Sequence, residues 1–76
     1  MTLRKLLEVL SINTNVTITL IDENDTNVIT FNAPGYNAVE GDLLDGSEVK
    51  RVKIVSSNVV MIFIGQPTNN NEEPTG

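Results

Sequence analysis

The side chains best suited to chemistry lie in two adjacent stretches of this 76-residue chain. Glu40, Asp42, Asp45 and Glu48 surround Gly41 and Gly46, and paired carboxylates of this kind serve acid–base catalysis or Mg²⁺ binding. Such chemistry needs fixed geometry and a second type of group, and no basic or hydroxyl motif accompanies the cluster. A charged surface connection is the simpler reading. Lys50, Arg51 and Lys53 follow directly and are three of the five basic residues. In extended geometry Arg51 and Lys53 share one face of a strand while Lys50 points to the other. A nucleic-acid groove takes a broader positive field with stacking aromatics, whereas this chain carries a net charge of -5. The three bases therefore read first as protection of a strand edge. Nucleic-acid contact through Lys50, Arg51 and Lys53 stands as the alternative.

Composition removes most other chemistry. With no His and no Cys there is no Ser-His-Asp or Cys-His machinery, no thiolate, no disulfide and no cysteine-ligated metal. The run Asp22-Glu23-Asn24-Asp25-Thr26-Asn27 starts like a calcium loop, but positions 6 and 12 hold Asn27 and Ala33 where Gly and Glu are needed. It reads as a solvated turn. The five glycines fit neither phosphate-binding pattern, and the sequons at Asn15 and Asn24 carry no weight without a leader. The expectation is a non-enzymatic protein with no cofactor and no metal.

These residues must be positioned by a small folded unit. Apolar content of 39% with 20% charge is globular rather than disordered, and the length allows one domain. From Gln66 the sequence QPTNNNEEPTG offers nothing apolar to pack, so residues 1–65 read as the domain and 66–76 as a mobile acidic tail. The longest apolar run, Val59 to Ile64, is far short of a membrane span. The opening MTLRKLLEVL is spaced as a helix rather than as a secretory h-region, and with no Cys the expected address is a reducing cytoplasm.

Leu3, Leu6, Leu7 and Leu10 recur at helical period behind Thr2, a fitting N-cap. Val16 to Ile21 and Val28 to Phe31 flank the polar turn as a β-hairpin, ended by Ala33-Pro34-Gly35. Val49 to Val55 and Val59 to Ile64 form a second hairpin, in which Asn58 is expected to take the left-handed conformation of a tight turn. Between them Val39, Leu43 and Leu44 fit either an irregular helical turn or a short strand. The expected fold is α+β: a short N-terminal helix packed on a four-stranded antiparallel sheet made of two hairpins. A small SH3-like or OB-like barrel is the alternative.

The last strand is apolar on both faces, which is the pattern of a central strand covered on both sides. One short helix cannot cover both faces. Either the Val39–Leu44 segment or another subunit must cover the second face, and a homo-oligomer, dimer first, is the expected assembly. The candidate interface is Phe31, Tyr36, Val59, Met61 and Phe63. Tyr36, on the Pro34-Gly35 turn, could anchor a partner or fold back over the core.

The succession LRKLLEVL, VTITLIDEND, DLLD and EVKRVKIVSSNVVMIFIG resembles small proteins encoded by phages, plasmids and integrated elements of low-GC Gram-positive bacteria. The likeness is one of layout over residues 2–65. It implies a mobile-element context and transfers no functional residue; the expected function is an accessory protein that binds a protein partner or a small signalling molecule.

Overall fold

The computed structural model describes residues 1–12 and 15–66. The expected tail therefore lies outside the described residues, apart from Gln66. Helix α1 spans Leu3–Leu10, and the extended Thr2 caps it by accepting a hydrogen bond from the Lys5 amide at 3.3 Å. Leu3 and Leu7 are fully buried, while Leu6 and Leu10 pack against the same core from its edge. A helix this short has little stability of its own, so docking of that leucine stripe is what holds it.

Strands β1 (Thr17–Ile21) and β2 (Asn27–Asn32) form the first hairpin. Their turn is organised by Asp22, whose carboxylate Oδ1 accepts from the amides of Asn24 at 2.8 Å and Thr26 at 2.9 Å. Asp25 takes the left-handed conformation there, at φ 62°, which short polar side chains tolerate better than most. The acidic turn thus spends a carboxylate on its own backbone. Asp22→Ala is expected to cost about 1–2 kcal/mol, since two amides lose a charged acceptor; urea unfolding of the variant measures it.

A 3-10 helix (Ala33–Ala38) and α2 (Gly41–Gly46) follow, so the undecided 39–44 segment is helical. Both pack beside α1, with Ala33, Val39 and Leu44 buried in the common core. Strands β3 (Glu48–Ser56) and β4 (Val59–Gly65) complete the sheet as an antiparallel pair. The Ser57–Asn58 turn closes without a left-handed residue, contrary to the expectation for Asn58. A register irregularity between Ile54 and Ser56 adjoins it. Such bulges re-aim a strand where a turn would otherwise have to supply the twist.

The sheet order is β2-β1-β4-β3, and β1 runs parallel to β4. The fold is α+β as expected, with a mixed rather than purely antiparallel sheet. The cause lies in residues 33–47, which carry the chain from one edge of the sheet to the other. Strand β3 then forms the far edge, and β4 folds back beside β1 with the same direction. β4 is central, as its two-sided apolar pattern requires. The sheet is open, with β2 and β3 as edges, and does not close into a barrel.

Register divides the sheet into two faces. Ile18 and Leu20 of β1 stand level with Phe31 and Ile29 of β2 and with Val60 and Ile62 of β4. This inner face carries the core, with Ile18, Leu20 and Ile62 fully buried under α1, the 3-10 helix and α2. All three helical pieces lie on that side. The outer face holds Thr17, Thr19 and Ile21 level with Val59, Met61 and Phe63, and among the described residues no helix packs on it. None of the described helices is long and apolar enough to cross a membrane.

One ion pair ties the helices together. Arg4 of α1 holds the Asp45 carboxylate of α2 with two hydrogen bonds, Nε to Oδ1 at 2.5 Å and Nη2 to Oδ2 at 3.1 Å. The Arg4 hydrogen bonds, helped by its charge, lower the Asp45 pKa against a smaller opposing effect of desolvation. A carboxyl lowered on folding stabilises the fold above its unfolded pKa, and that contribution disappears as pH falls through the folded value. Both groups are exposed, so solvent screening keeps the stabilisation small. Carbon-detected titration of Asp45 is expected to show a depressed midpoint that returns to the ordinary carboxylate value in Arg4→Gln.

Candidate functional site

The outer face of the sheet is built by strand alternation alone. Because β1 and β4 are parallel and in register, Ile21 lies beside Phe63, Thr19 beside Met61 and Thr17 beside Val59. Across the β3–β4 pair, Phe63 stands opposite Arg51 and Met61 opposite Lys53. The result is an apolar strip along β4 flanked by hydroxyls on one side and cations on the other. Ile21 is only 8% exposed despite facing outward, and Val59, Met61 and Phe63 are half-buried by their neighbours within the sheet.

The Arg51 guanidinium lies 4.3 Å from the centroid of the Phe63 ring. That is cation–π distance. Lys53 is exposed and makes no ion pair among the described residues. Lys50 sits at the irregularity between Val49 and Arg51, and its ammonium approaches Glu48 at 3.6 Å. Arg51 and Lys53 thus share a face, as the extended pattern requires, and Lys50 is separated from them. On the other side of the strip the Thr19 and Thr30 hydroxyls are hydrogen-bonded to each other at 3.2 Å. Toward the far end Glu23 folds over Gly65, where a β-carbon would collide with its carboxylate, and accepts the Gln66 amide at 3.3 Å.

The structure separates the five candidate interface residues into two groups. Val59, Met61 and Phe63 lie together on the outer face. Phe31 and Tyr36 belong to the inner layer, where they pack against the core from its edge. Strand parity explains Phe31, which stands opposite Ile18. Tyr36 follows from the 3-10 helix that turns APGYN back over the core. The strand reading omitted Ile21, although its place one strand-repeat beyond Thr19 gives it the same face.

The acidic cluster is dispersed. Asp45 is paired with Arg4 and Glu48 lies against Lys50, while Glu40 and Asp42 point to solvent at the start of α2. Among the described residues no three acidic side chains gather where one cation could be shared. Two hollows lie at the rim of the helical layer. The smaller, about 170 Å³, is bordered by Asp22, Glu23, Leu43, Ser47 and Gln66, and both carboxylates there already accept backbone amides. The larger, about 340 Å³, lies between β2 and residues 38–43, with Val28, Ile29, Val39 and Leu43 in its walls and Glu40 as its single charge.

Comparison of the chain with family models, with curated proteins and with solved structures finds no match. The class of object is therefore defined by the fold itself: a small α+β domain with a mixed four-stranded sheet, whose helices among the described residues all lie on one side.

Proposed function

We propose that this chain is a non-enzymatic interaction protein that docks a protein partner on the outer face of its sheet. One observation carries the reading: all three helical pieces lie on the inner face, leaving the strip of Ile21, Val59, Met61 and Phe63 with no helical cover among the described residues. An apolar centre rimmed by hydroxyls and charges is the usual anatomy of a protein interface. Arg51 is of a type that often dominates binding energy in such patches, and aromatic residues such as Phe63 are enriched in them. Lys53 favours a partner with a carboxylate opposite it. The cysteine-free composition and the layout resemblance fit an accessory protein of a mobile element working in a reducing cytoplasm.

Affinity capture from a bacterial host lysate tests this reading, with the wild type and Met61→Lys as paired baits. A single protein retained in stoichiometric amount by the wild type and lost by a folded Met61→Lys chain is the expected result. Retention by both would remove the outer face from the reading. Nucleic-acid contact has its own signature: Arg51→Gln with Lys53→Gln would abolish capture of nucleic acid and flatten its salt dependence.

A further inference from the structure

The two edges of the sheet are treated differently by the sequence. β3 carries Lys50, Arg51 and Lys53, has two register irregularities, and is partly paired on its free side by the first residues of the chain. The Val49 amide donates to the Met1 carbonyl at 2.9 Å and the Leu3 amide to the Ser47 carbonyl at 3.1 Å. Charge, bulges and partial cover are the usual means of blocking an edge. β2 has none of the charge and, among the described residues, none of the cover. Its six residues, Asn27–Asn32, contain no Lys, Arg, Asp, Glu or Pro, and its only irregularity lies near its start.

The direction of the free groups on β2 follows from its pairing. The Ala33 amide donates to the Val16 carbonyl at 2.9 Å, and alternation from that point aims the backbone of Phe31 and Ile29 at β1. The amides and carbonyls of Thr30 and Asn32 therefore face away from the sheet. Among the described residues no backbone group from another element reaches them.

We propose that the β2 edge pairs with the β2 edge of a second copy of this chain, antiparallel about a two-fold axis at Thr30, giving one continuous eight-stranded sheet. Self-complementarity selects this occupant. In that register each Thr30 exchanges both backbone hydrogen bonds with its counterpart, and Val28 stands opposite Asn32. Ile29 stands opposite Phe31 twice over, an aromatic–β-branched pair of the kind that stabilises antiparallel strands. No charge opposes another. The same operation at β3 about Val52 would set Arg51 against Lys53 of the second copy, like charges directly opposed. The hollow of about 340 Å³ beside Val28 and Ile29 lies on the inner side of this edge, where Phe31 of the second copy would arrive. The pairing uses an edge and not the outer face, so it stands or falls separately from the proposed partner surface.

Sedimentation velocity across tens to hundreds of micromolar gives the first test, with twice the 8.3 kDa chain mass expected at the upper end. Thr30→Pro removes the outward-facing amide donor together with the hydroxyl that meets Thr19, but none of the backbone bonds that join β2 to β1; it is expected to keep the far-UV spectrum while weakening the dimer at least tenfold. Thr30→Lys and Thr30→Glu each place like charges across the axis and are expected to be monomeric. An equimolar mixture of the two should recover the dimer, which no loss of folding would produce. A monomeric wild type at the highest concentration would overturn the proposal. So would a dimer unaffected by Thr30→Pro and Thr30→Lys. A dimer abolished only by Met61→Lys would assign self-association to the outer face instead and equally overturn it.

Discussion

Ile62→Ala is expected to lower the stability of the folded chain by about 2–5 kcal/mol, the usual range for emptying a fully buried aliphatic site. Ile62 has no exposed surface, stands level with Leu20 of β1 and Val52 of β3, and faces the helical layer. A unit of this size commands roughly 3–10 kcal/mol in total. The variant should therefore lose a large fraction of the chain's total stability. The control is one residue away. Met61→Ala removes a side chain from the same central strand but from the other face, which no helix covers among the described residues, and should cost about 1 kcal/mol. Urea unfolding followed by circular dichroism reads both, with the midpoint moving and the slope kept. Equal losses at the two positions would mean that the outer face is packed as tightly as the inner one.

Met61→Lys carries the second large effect. Met61 lies at the middle of the outer strip, between Thr19 and Lys53 in register. In the isolated chain a lysine there can extend its flexible stem to water, so the fold should survive. In a partner complex the same ammonium would be stranded in an apolar contact. Loss of a central interface residue costs about 2 kcal/mol or more, equivalent to at least ~30-fold in affinity. The added charge next to Lys53 pushes in the same direction. Capture that survives this substitution at full strength would place the partner elsewhere on the molecule.

The parts of the fold legible in the sequence are those decided by local pattern. The stripe Leu3, Leu6, Leu7, Leu10 specifies α1 and its buried side, and Thr2 caps it as the N-cap preference implies. Both hairpins follow from period-2 runs around polar turns, and β4 is central because it is apolar on both faces. The β1–β4 pairing is different in kind. It depends on where residues 33–47 set β3 down, which no local run of residues encodes, and so the parallel neighbours could not be read from strand composition. Left-handed backbone fell to Asp25 instead of Asn58 because Asp22 ties two amides of the first turn into a tight loop, while the second turn is accompanied by a bulge. Apolar surplus on β4 announced that something must meet its second face. Which aromatic residues belonged there required knowing strand parity and side together: Phe31 shares parity with the core, and Phe63 does not.

The edges show how composition becomes meaningful only with topology. Lys50, Arg51 and Lys53 suggest edge protection from sequence, and β3 is indeed an edge. The uncharged NVITF run gives no such signal until β2 is seen to be the other edge, with Thr30 facing outward.

The chain contains two methionines, which supply a direct test of the open face. Met1 is 65% exposed and serves as an internal reference, whereas Met61 lies at the centre of the outer strip. Dilute peroxide treatment followed by mass spectrometry measures the oxidation of each sulfur, with and without the captured partner. Met61 is expected to oxidise in the isolated chain within about tenfold of the Met1 rate and to become protected in the complex, while Met1 stays reactive. Met61 oxidation that is equally fast in both states, or already blocked in the isolated monomer, would contradict that expectation.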